Sequence, residues 1–550
     1  KIIRYGNNKS LETVIIPLAE RLFDQTQMVR LAIVSVVGMW LMELPDRYSY
    51  FHKLLPLMLT GLNDESPDVQ KAAEKWDAAG KLYMEENEQD LKDEMDFLTI
   101  APEHYPILET RPNLGCRTLV KRNLGKIVPA VINELSDWLP DVRTKASQLL
   151  YSLILNAENQ ITHHLEKIIV ALYQSSKDED IRVTYNTERA AELIGYFVPP
   201  ETYCKLILPT MDESAHVGQM RVFAAVLKGS DKTLLKDKLI EIGDFLRRPD
   251  ICHSKEKYYQ HQLLNCCNAL MSVCEEDSKV ISFQLFTVMI SVLGLAADDS
   301  VKKSALDLLR ELQLMERCCS VHDLFKRHVQ PILEQYKASS DSWAIFSAER
   351  FIFEAILTYS GPTIGLHLAT ITPILMQCLK PDKDPEVKLK MFTILSTFVL
   401  GKQHVLTNAP DLGPFLVTLV TDIIIPNLVW QAGRTAEAIR TAGIACVSMA
   451  FIQNSSFFNS PFIDAAVLKS VLGPLMPLLL TLIEDSSKKT RLITCQTIVR
   501  VIALVRVAGL YSSDVVHQVY PVVLKRLDDV DEGVRIEAIK VIGDIQQASR

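Results

Sequence analysis

The chain has 550 residues and a formal net charge of −8, from 59 basic and 67 acidic side chains. Hydrophobic residues make up 48% of it and charged residues 23%, which excludes a chain that is disordered throughout. The slight excess of acid argues against a general binder of nucleic acid or of anionic membranes. Glycine and proline are too scarce for the many turns of a large all-β fold, so the composition favours helices.

One local pattern, a proline followed by a turn and a basic helix, returns along the chain. Pro129 precedes Arg143 by fourteen residues, and Pro521 precedes Arg535 by the same interval. A proline inside a helix bends it, and an aspartate in the following turn can accept hydrogen bonds from nearby backbone amides. Each copy is therefore predicted to form a helical hairpin. Clear copies begin at Pro17, Pro56, Pro129, Pro373, Pro426, Pro477 and Pro521, and weaker ones cover residues 168–194, 209–227, 288–312 and 331–357.

Each second helix carries an apolar stripe, as at Val142, Ala146, Leu149 and Leu153. One hairpin cannot bury that stripe alone, whereas stacked hairpins can. The pattern resembles HEAT repeats, and the sequence predicts an all-α fold, a HEAT-repeat α-solenoid of about eleven stacked helical hairpins. In HEAT repeats the turn aspartates and helix arginines often form a ladder between adjacent hairpins. The resemblance implies that structural role for Asp137, Arg143, Arg182, Arg440, Arg491, Asp529 and Arg535.

The repeat is interrupted between Pro56 and Pro129, and the predicted organisation follows from that gap. We expect HEAT repeats over residues 1–82, an acidic insert and proline-rich connector over 83–115, and HEAT repeats over 116–550. The acidic run is either a solvated helix or loop, as is usual, or a docking site for a basic partner. Its members are Glu85, Glu86, Glu88, Asp90, Asp93, Glu94 and Asp96.

A second irregular stretch, residues 454–461, contains Phe457 and Phe458. These rings either anchor a partner or pack against the solenoid.

No motif in the sequence indicates catalysis. Phosphate-cradling, dinucleotide-binding, hydrolase and kinase signatures are all missing, and adjacent histidines such as His163 and His164 would point about 100° apart on a helix. The eleven cysteines are predicted to be reduced thiols, mostly buried, because they are odd in number and lack zinc-binding spacing. We therefore expect no enzyme, no cofactor and no metal site, and basic clusters without interleaved aromatic residues predict no nucleic-acid binding.

The longest uncharged stretch, Ala355 to Leu379, is predicted to be a pair of helices in a soluble protein rather than a membrane span. Gly361, Pro362 and Pro373 interrupt it.

Three stretches carry a closer resemblance than the repeat itself: residues 73–97, 131–159 and 185–209. They resemble the HEAT-repeat dynein axonemal assembly factors. The resemblance implies that this chain is most of the C-terminal part of such a factor, with further repeats before Lys1. It also implies a cytoplasmic, non-enzymatic protein needed to preassemble outer and inner dynein arms for motile cilia. The implied partners are axonemal dynein heavy or intermediate chains, with chaperones or other assembly factors.

Two other functions of HEAT solenoids remain open at this point. An importin-type transport receptor also holds basic cargo on an acidic solenoid, although only Glu85 to Asp96 supplies a local acidic feature here. A phosphatase-type scaffold binds a catalytic subunit through short loops between repeats, and the long interval after Pro56 argues against it.

Overall fold

A computed structural model describes residues 9–97, 101–400, 406, 409–453, 465–507 and 509–548. Phe457 and Phe458 lie outside these described residues. Throughout the described ranges the regular secondary structure is helical, with no β-strand. The chain divides into two compact units, Lys1–Val288 and Met289–Arg550.

The first unit is a succession of helical hairpins. In chain order its helices are α1 (Lys9–Arg21), α2 (Gln27–Glu43), α3 (Arg47–Leu62), α4 (Pro67–Ala73), α5 (Lys75–Glu86), α6 (Glu88–Phe97), α7 (Leu114–Glu134), α8 (Pro140–Ala157), α9 (Leu165–Ser175), α10 (Ile181–Phe197), α11 (Pro200–Ser214), α12 (Val217–Lys228), α13 (Lys232–Lys236), α14 (Leu239–Leu246), α15 (Pro249–Cys252) and α16 (Lys257–Cys274). The division between the units falls within α17 (Ser282–Leu295).

The second unit repeats the same construction. Its helices are α18 (Asp299–Met315), α19 (Val321–Ser339), α20 (Ala348–Tyr359), α21 (Leu368–Cys378), α22 (Pro385–Ile394), α23 (Leu412–Thr418), α24 (Ile425–Leu428), α25 (Arg434–Gln453), α26 (Ala465–Leu482), α27 (Lys488–Val507), α28 (Ser513–Leu524) and α29 (Glu532–Ala548). The all-α HEAT-repeat architecture expected from the sequence is confirmed.

Prolines lie at two positions in the hairpins: inside the first helix and at the start of the second helix. Pro56 and Pro129 lie inside first helices, where each removes a backbone hydrogen bond and favours a bend. Pro67, Pro140 and Pro385 open second helices, a position whose amide has no helical partner in any case. Alternation of bent and proline-started helices therefore produces the hairpins.

The second helices supply much of the core. In α8, Leu150, Leu153 and Ile154 are fully buried, and in α16 Cys266 and Cys267 are buried among apolar neighbours. All eleven cysteines are free thiols, and only Cys318 and Cys319 are not buried. Burial raises the pKa of the Cys267 thiol to about 12, so this thiol stays protonated and packs as a small apolar group.

Two stretches, Lys257–Leu295 and Arg434–Ile452, are long and apolar enough to cross a membrane by length and composition alone. Within their most apolar windows, 67% and 50% of the residues are buried inside the protein. Core helices of a folded protein meet the same test. Both stretches contribute buried side chains to the hairpins. The uncharged stretch singled out in the sequence is broken after α20, where Gly361 adopts a φ of 55° and a 3₁₀ turn leads to α21.

Helices α5 and α7 pack directly on each other although 27 residues separate them in the chain. Gly80 and Gly115 face each other at the contact: a Cβ placed on Gly115 would lie 1.9 Å from the Gly80 carbonyl oxygen. Only a residue without a side chain fits such an approach of two backbones. The stack of hairpins therefore continues directly from α5 to α7, and α6 with the connector is an insertion between these two helices.

Replacing Gly115 by alanine is expected to destabilise the first unit by about 1–3 kcal/mol, because the added methyl group forces two helix backbones apart. The measurement is the midpoint of urea unfolding. Gly543→Ala is the matched control, since a Cβ at Gly543 meets nothing within 4 Å. The control should be neutral or stabilising by up to about 1 kcal/mol. Equal midpoints for the two variants would contradict the close contact.

Candidate partner-binding surface

The acidic run forms the end of α5 and most of α6. Tyr83 and Leu91 point inwards and are buried, which fixes both helices to the fold. The carboxylates on the opposite side are exposed to solvent, as at Glu85, Glu88, Asp90 and Asp93. Glu94 is half-buried, and the side chain of Asp96 lies outside the described residues.

Glu86 is the member of the run with a clear bonding partner on another hairpin helix. It accepts hydrogen bonds from Arg47 and from the Tyr48 hydroxyl, the latter at 2.9 Å. These hydrogen bonds join the end of α5 to the start of α3. The exposed acids of α6 follow directly after this contact in the chain.

Residues 101–113, which we call the strap, contain no helix or strand and contact three successive hairpins. At its start the His104 ring stacks on Tyr196 with centroids 4.6 Å apart, and its Nε2 lies 2.9 Å from the Gly229 carbonyl oxygen. Tyr105 packs beside Phe197 with ring centroids 5.7 Å apart. The strap therefore begins at the ends of α10 and α12.

The second half of the strap is held by ionic contacts. Glu109 accepts hydrogen bonds from the Tyr151 hydroxyl of α8 and, at 3.2 Å, from Arg189 of α10. Arg111 donates to both oxygens of Glu158 at 2.6 and 2.7 Å. Burial, together with the bond to Glu109, raises the pKa of the Tyr151 phenol, which remains a donor at neutral pH.

The strap ends at a cap that also ties it to α5. The Asn113 side chain accepts a hydrogen bond from the Cys116 amide at 3.0 Å, and it donates to the Asp77 carbonyl and carboxylate at 2.9 and 2.8 Å. Since asparagine is a preferred N-cap, this residue both starts α7 and closes the insert.

A cavity of about 380 Å³ lies between the strap, the start of α7 and the segment that follows α8, and Glu94 of α6 contributes to its wall. Glu94, Arg111, Lys121 and Glu158 contribute charges of both signs to its wall. Among the residues described by the structure, no three histidine, cysteine or acidic side chains converge as a metal ion would require. The cavity lies where the strap meets the hairpin helices.

A separate set of contacts runs along the turns of the hairpins. Arg143 donates to both carboxylate oxygens of Asp178, in the next turn, at 2.6 and 3.0 Å. Arg491 contacts Asp529 in the same way, at 2.8 and 2.9 Å. In each case the remaining guanidinium nitrogen donates to two carbonyl oxygens of the arginine's own turn. One side chain thus joins its own turn to the next.

The pair formed by Arg440 and Asp485 is the most deeply buried of this set. The guanidinium lies 2.9 Å from the carboxylate, and the two side chains are 3% and 1% exposed. Arg440 also donates to the Gln431 carbonyl oxygen at 2.7 Å. Asp485 accepts from the Ser487 amide at 2.9 Å, so that each of the two charges has a second hydrogen-bond partner.

Three residues assigned to the ladder from the sequence are placed differently. Arg182 is half-exposed and bonds to Asp180 and Asp141 instead of the following turn. Asp137 accepts from the Leu139 amide at 2.8 Å. Arg535, in the last described hairpin, donates to carbonyl oxygens of its own turn. Asp137 and Arg535 order single turns, whereas Arg182 also reaches Asp141 of the preceding hairpin.

Sequence reasoning missed one ladder pair and every anchor of the strap. Arg30 donates to both oxygens of Asp64 at 2.8 and 2.9 Å. The interval from Pro17 to Arg30 is one residue shorter than the usual spacing, yet Asp64 stands three residues before Pro67, which was an available signal. No sequence pattern indicates the anchors of the strap, because they lie far from it in the chain. These anchors are Tyr151, Glu158 and Arg189.

The Arg491–Asp529 pair predicts a pH-dependent coupling. The hydrogen bond from Arg491 lowers the pKa of Asp529 below its ordinary value, which partial burial opposes. The stabilisation is therefore complete above the ordinary aspartate pKa of about 4 and is lost as the pH falls through the lower folded-state pKa. A double-mutant cycle with Arg491→Gln and Asp529→Asn should give a coupling energy of about 1.5–3 kcal/mol at pH 7 and a much smaller one at pH 2. A coupling energy equal at both pH values would contradict this.

Comparisons with known proteins bear on the family. A model described as dynein axonemal assembly factor 5, HEAT-repeat domain, matches residues 103–296, and one described as dynein axonemal assembly factor 5-like, TPR repeats, matches residues 1–94. Together they match just over half of the chain. Dynein axonemal assembly factor 5 of Homo sapiens is 41% identical over 98% of this chain and 62% of its own length. The Xenopus laevis protein is 38% identical over 98% of this chain and 64% of its own length.

The chain belongs to the dynein axonemal assembly factor 5 family. This confirms the resemblance drawn from residues 73–97, 131–159 and 185–209. The chain spans less than two thirds of the length of the human and Xenopus laevis dynein axonemal assembly factor 5 proteins. The two family models end at residue 94 and begin at residue 103, so that α6 and the strap lie at their junction.

Among solved structures, one describing Kap95p binding to RanGDP is similar over 99% of this chain and 76% of that chain. Its sequence identity is 11% and its TM-score 0.33. At that score the likeness supports no argument about the dynein axonemal assembly factor 5 family.

Proposed function

We propose that this protein is a non-enzymatic cytoplasmic factor that acts in the preassembly of outer and inner axonemal dynein arms, and so in the building of motile cilia. It holds dynein heavy or intermediate chains on the surface of its hairpins, beside chaperones or other assembly factors, until the subunits combine. Membership of the dynein axonemal assembly factor 5 family is the observation that carries the proposal.

The fold is suited to that task. Hairpins that each contact their neighbours expose a long surface, and a large surface can bind a large partner without a catalytic centre. We assign partner contacts to the exposed acids of α5 and α6 and keep Phe457 and Phe458 as further candidates. We assign a structural role to the arginine–aspartate pairs, whose groups are turned towards neighbouring turns rather than solvent.

Two alternative functions would give different results in the test described below. A transport receptor of the importin type would release its cargo in response to a small GTPase. A phosphatase-type scaffold would co-purify with a phosphatase catalytic subunit. The acidic insert favours a basic partner but does not by itself separate dynein chains from transport cargo.

Affinity capture from the cytoplasm of cells that are building motile cilia tests the proposal. The tagged protein is compared with its Leu149→Pro variant, in which the buried face of α8 is disrupted, by quantitative mass spectrometry. We expect dynein heavy and intermediate chains and chaperones to be enriched over the variant. A cargo set released by a GTPase, or a dominant phosphatase subunit, would contradict the proposal.

A further inference from the structure

The strap makes a tight turn at its midpoint. The Glu109 amide donates to the Pro106 carbonyl oxygen at 3.1 Å, which closes a β-turn with Ile107 and Leu108 at its two central positions. Such positions are usually filled by glycine, asparagine, aspartate, serine or proline. Two large aliphatic residues are therefore unusual at these positions.

Both side chains point into solvent. Ile107 is 95% exposed and Leu108 96% exposed, so that neither stabilises the fold by burial. A single exposed aliphatic residue needs no explanation, since many occur on any surface. Here two adjacent ones share the tip of one turn.

The turn is rigidly presented. Pro106 is buried beneath it, and His104, Tyr105, Glu109 and Arg111 fix the strap on both sides to α8, α10 and the end of α12. A partner that takes up the tip therefore does not have to order this segment, and the usual entropic cost of fixing a loop is small. Exposed aliphatic groups held in this way can bury apolar area against a partner with little loss of loop entropy.

The insert that carries the tip is acidic in composition. Residues 83–115 contain nine acidic and two basic side chains, a net charge of −7 in a chain whose total is −8. Glu103 on the strap and Glu88, Asp90 and Asp93 on α6 are exposed. Glu94 of α6 lines the same cavity as His104 and Arg111, which places the acidic helix beside the strap. A complementary surface is basic.

We propose that the strap docks on a partner protein through Ile107 and Leu108, which enter an apolar pocket with a basic rim facing the acids of α6 and the strap. The apolar tip supplies the contact that holds the complex, and the acidic surroundings steer its formation. This inference rests on the proposed function, because it takes the partner to be an axonemal dynein chain.

The test uses purified dynein heavy and intermediate chains as probes, titrated onto the immobilised protein at low and high ionic strength. The double variant Ile107→Ser, Leu108→Ser should weaken binding about tenfold or more, through faster dissociation. Val530→Ser is the matched control, because Val530 is equally exposed at the turn before α29. It should leave binding unchanged, and both variants should unfold at the wild-type urea concentration.

A second variant tests the rim. Replacing Glu88, Asp90 and Asp93 by the corresponding amides should slow association and flatten its dependence on salt, while dissociation changes little.

The outcomes separate the two proposals. Wild-type binding that the Ile107→Ser, Leu108→Ser variant retains in full would overturn the docking role and leave the proposed function intact. Self-association abolished by that variant, with dynein binding unaffected, would assign the tip to a second copy of this chain and also overturn the inference. Failure of the wild-type protein to bind either probe would overturn both.

Discussion

Replacing Leu149 by proline is expected to unfold several hairpins together. Leu149 lies in the interior of α8 and is 4% exposed. Proline there removes a helical hydrogen bond and clashes with the preceding turn, at a cost of about 3 kcal/mol or more, and the lost leucine adds about 2–5 kcal/mol. Since α8 packs on both α7 and α10, those helices lose a buried surface as well. Hydrogen exchange should show faster exchange in all three helices.

Leu149→Ala is the control for this result, because it removes the same side chain but leaves the backbone helical. It should lower stability by about 2–5 kcal/mol with the pattern of protected amides kept. Faster exchange confined to α8 in the proline variant would show that the hairpins do not share their stability, contrary to the behaviour of stacked repeats.

Replacing Arg440 by alanine is expected to cost about 3–5 kcal/mol in the second unit. The change leaves the Asp485 carboxylate buried without its cation, and an unpaired buried charge is far costlier than a lost surface ion pair. It also leaves the Gln431 carbonyl oxygen without the hydrogen bond that it accepts. The measurement is the free energy of unfolding in urea, followed by a probe in the second unit.

The double variant Arg440→Met, Asp485→Asn separates charge from packing. It fills the space with an apolar chain and keeps an acceptor for the Ser487 amide, so it should recover a large part of the lost stability. Arg182→Ala is the exposed counterpart and should cost at most about 1 kcal/mol, because its ion pairs are half-exposed. Equal losses for Arg440→Ala and Arg182→Ala would contradict the role of burial.

The hairpins could be predicted from the sequence because their causes are local. Pro129 bends one helix, Asp137 orders the next turn and Pro140 opens the following helix, all within a dozen residues. The hairpin of α9 and α10 has no proline in its first helix. Without that reference point the sequence pattern aligns Arg182, instead of a later residue of α10, with Arg143. Asp178, which does receive Arg143, was overlooked for the same reason.

The surface formed by the insert could be predicted only in part. Its acidity follows from composition. Its path does not, because Glu109 meets Tyr151 and Arg189 across 42 and 80 residues of sequence. The contact of Gly80 with Gly115 likewise has no periodic signal. Exposure of Ile107 and Leu108 depends on that path, and in the sequence they are indistinguishable from core residues.

The proposed role of the protein is to bring axonemal dynein chains together before they reach the cilium. It is tested most directly by the fraction of dynein heavy chain that co-precipitates with intermediate chain in the cytoplasm of ciliating cells. The measurement is made with the endogenous protein present, after its depletion, and after its restoration. We expect the fraction to fall on depletion and to recover on restoration, and we expect arms to be lost from the axonemes in parallel. An unchanged fraction with normal arms after complete depletion would contradict it.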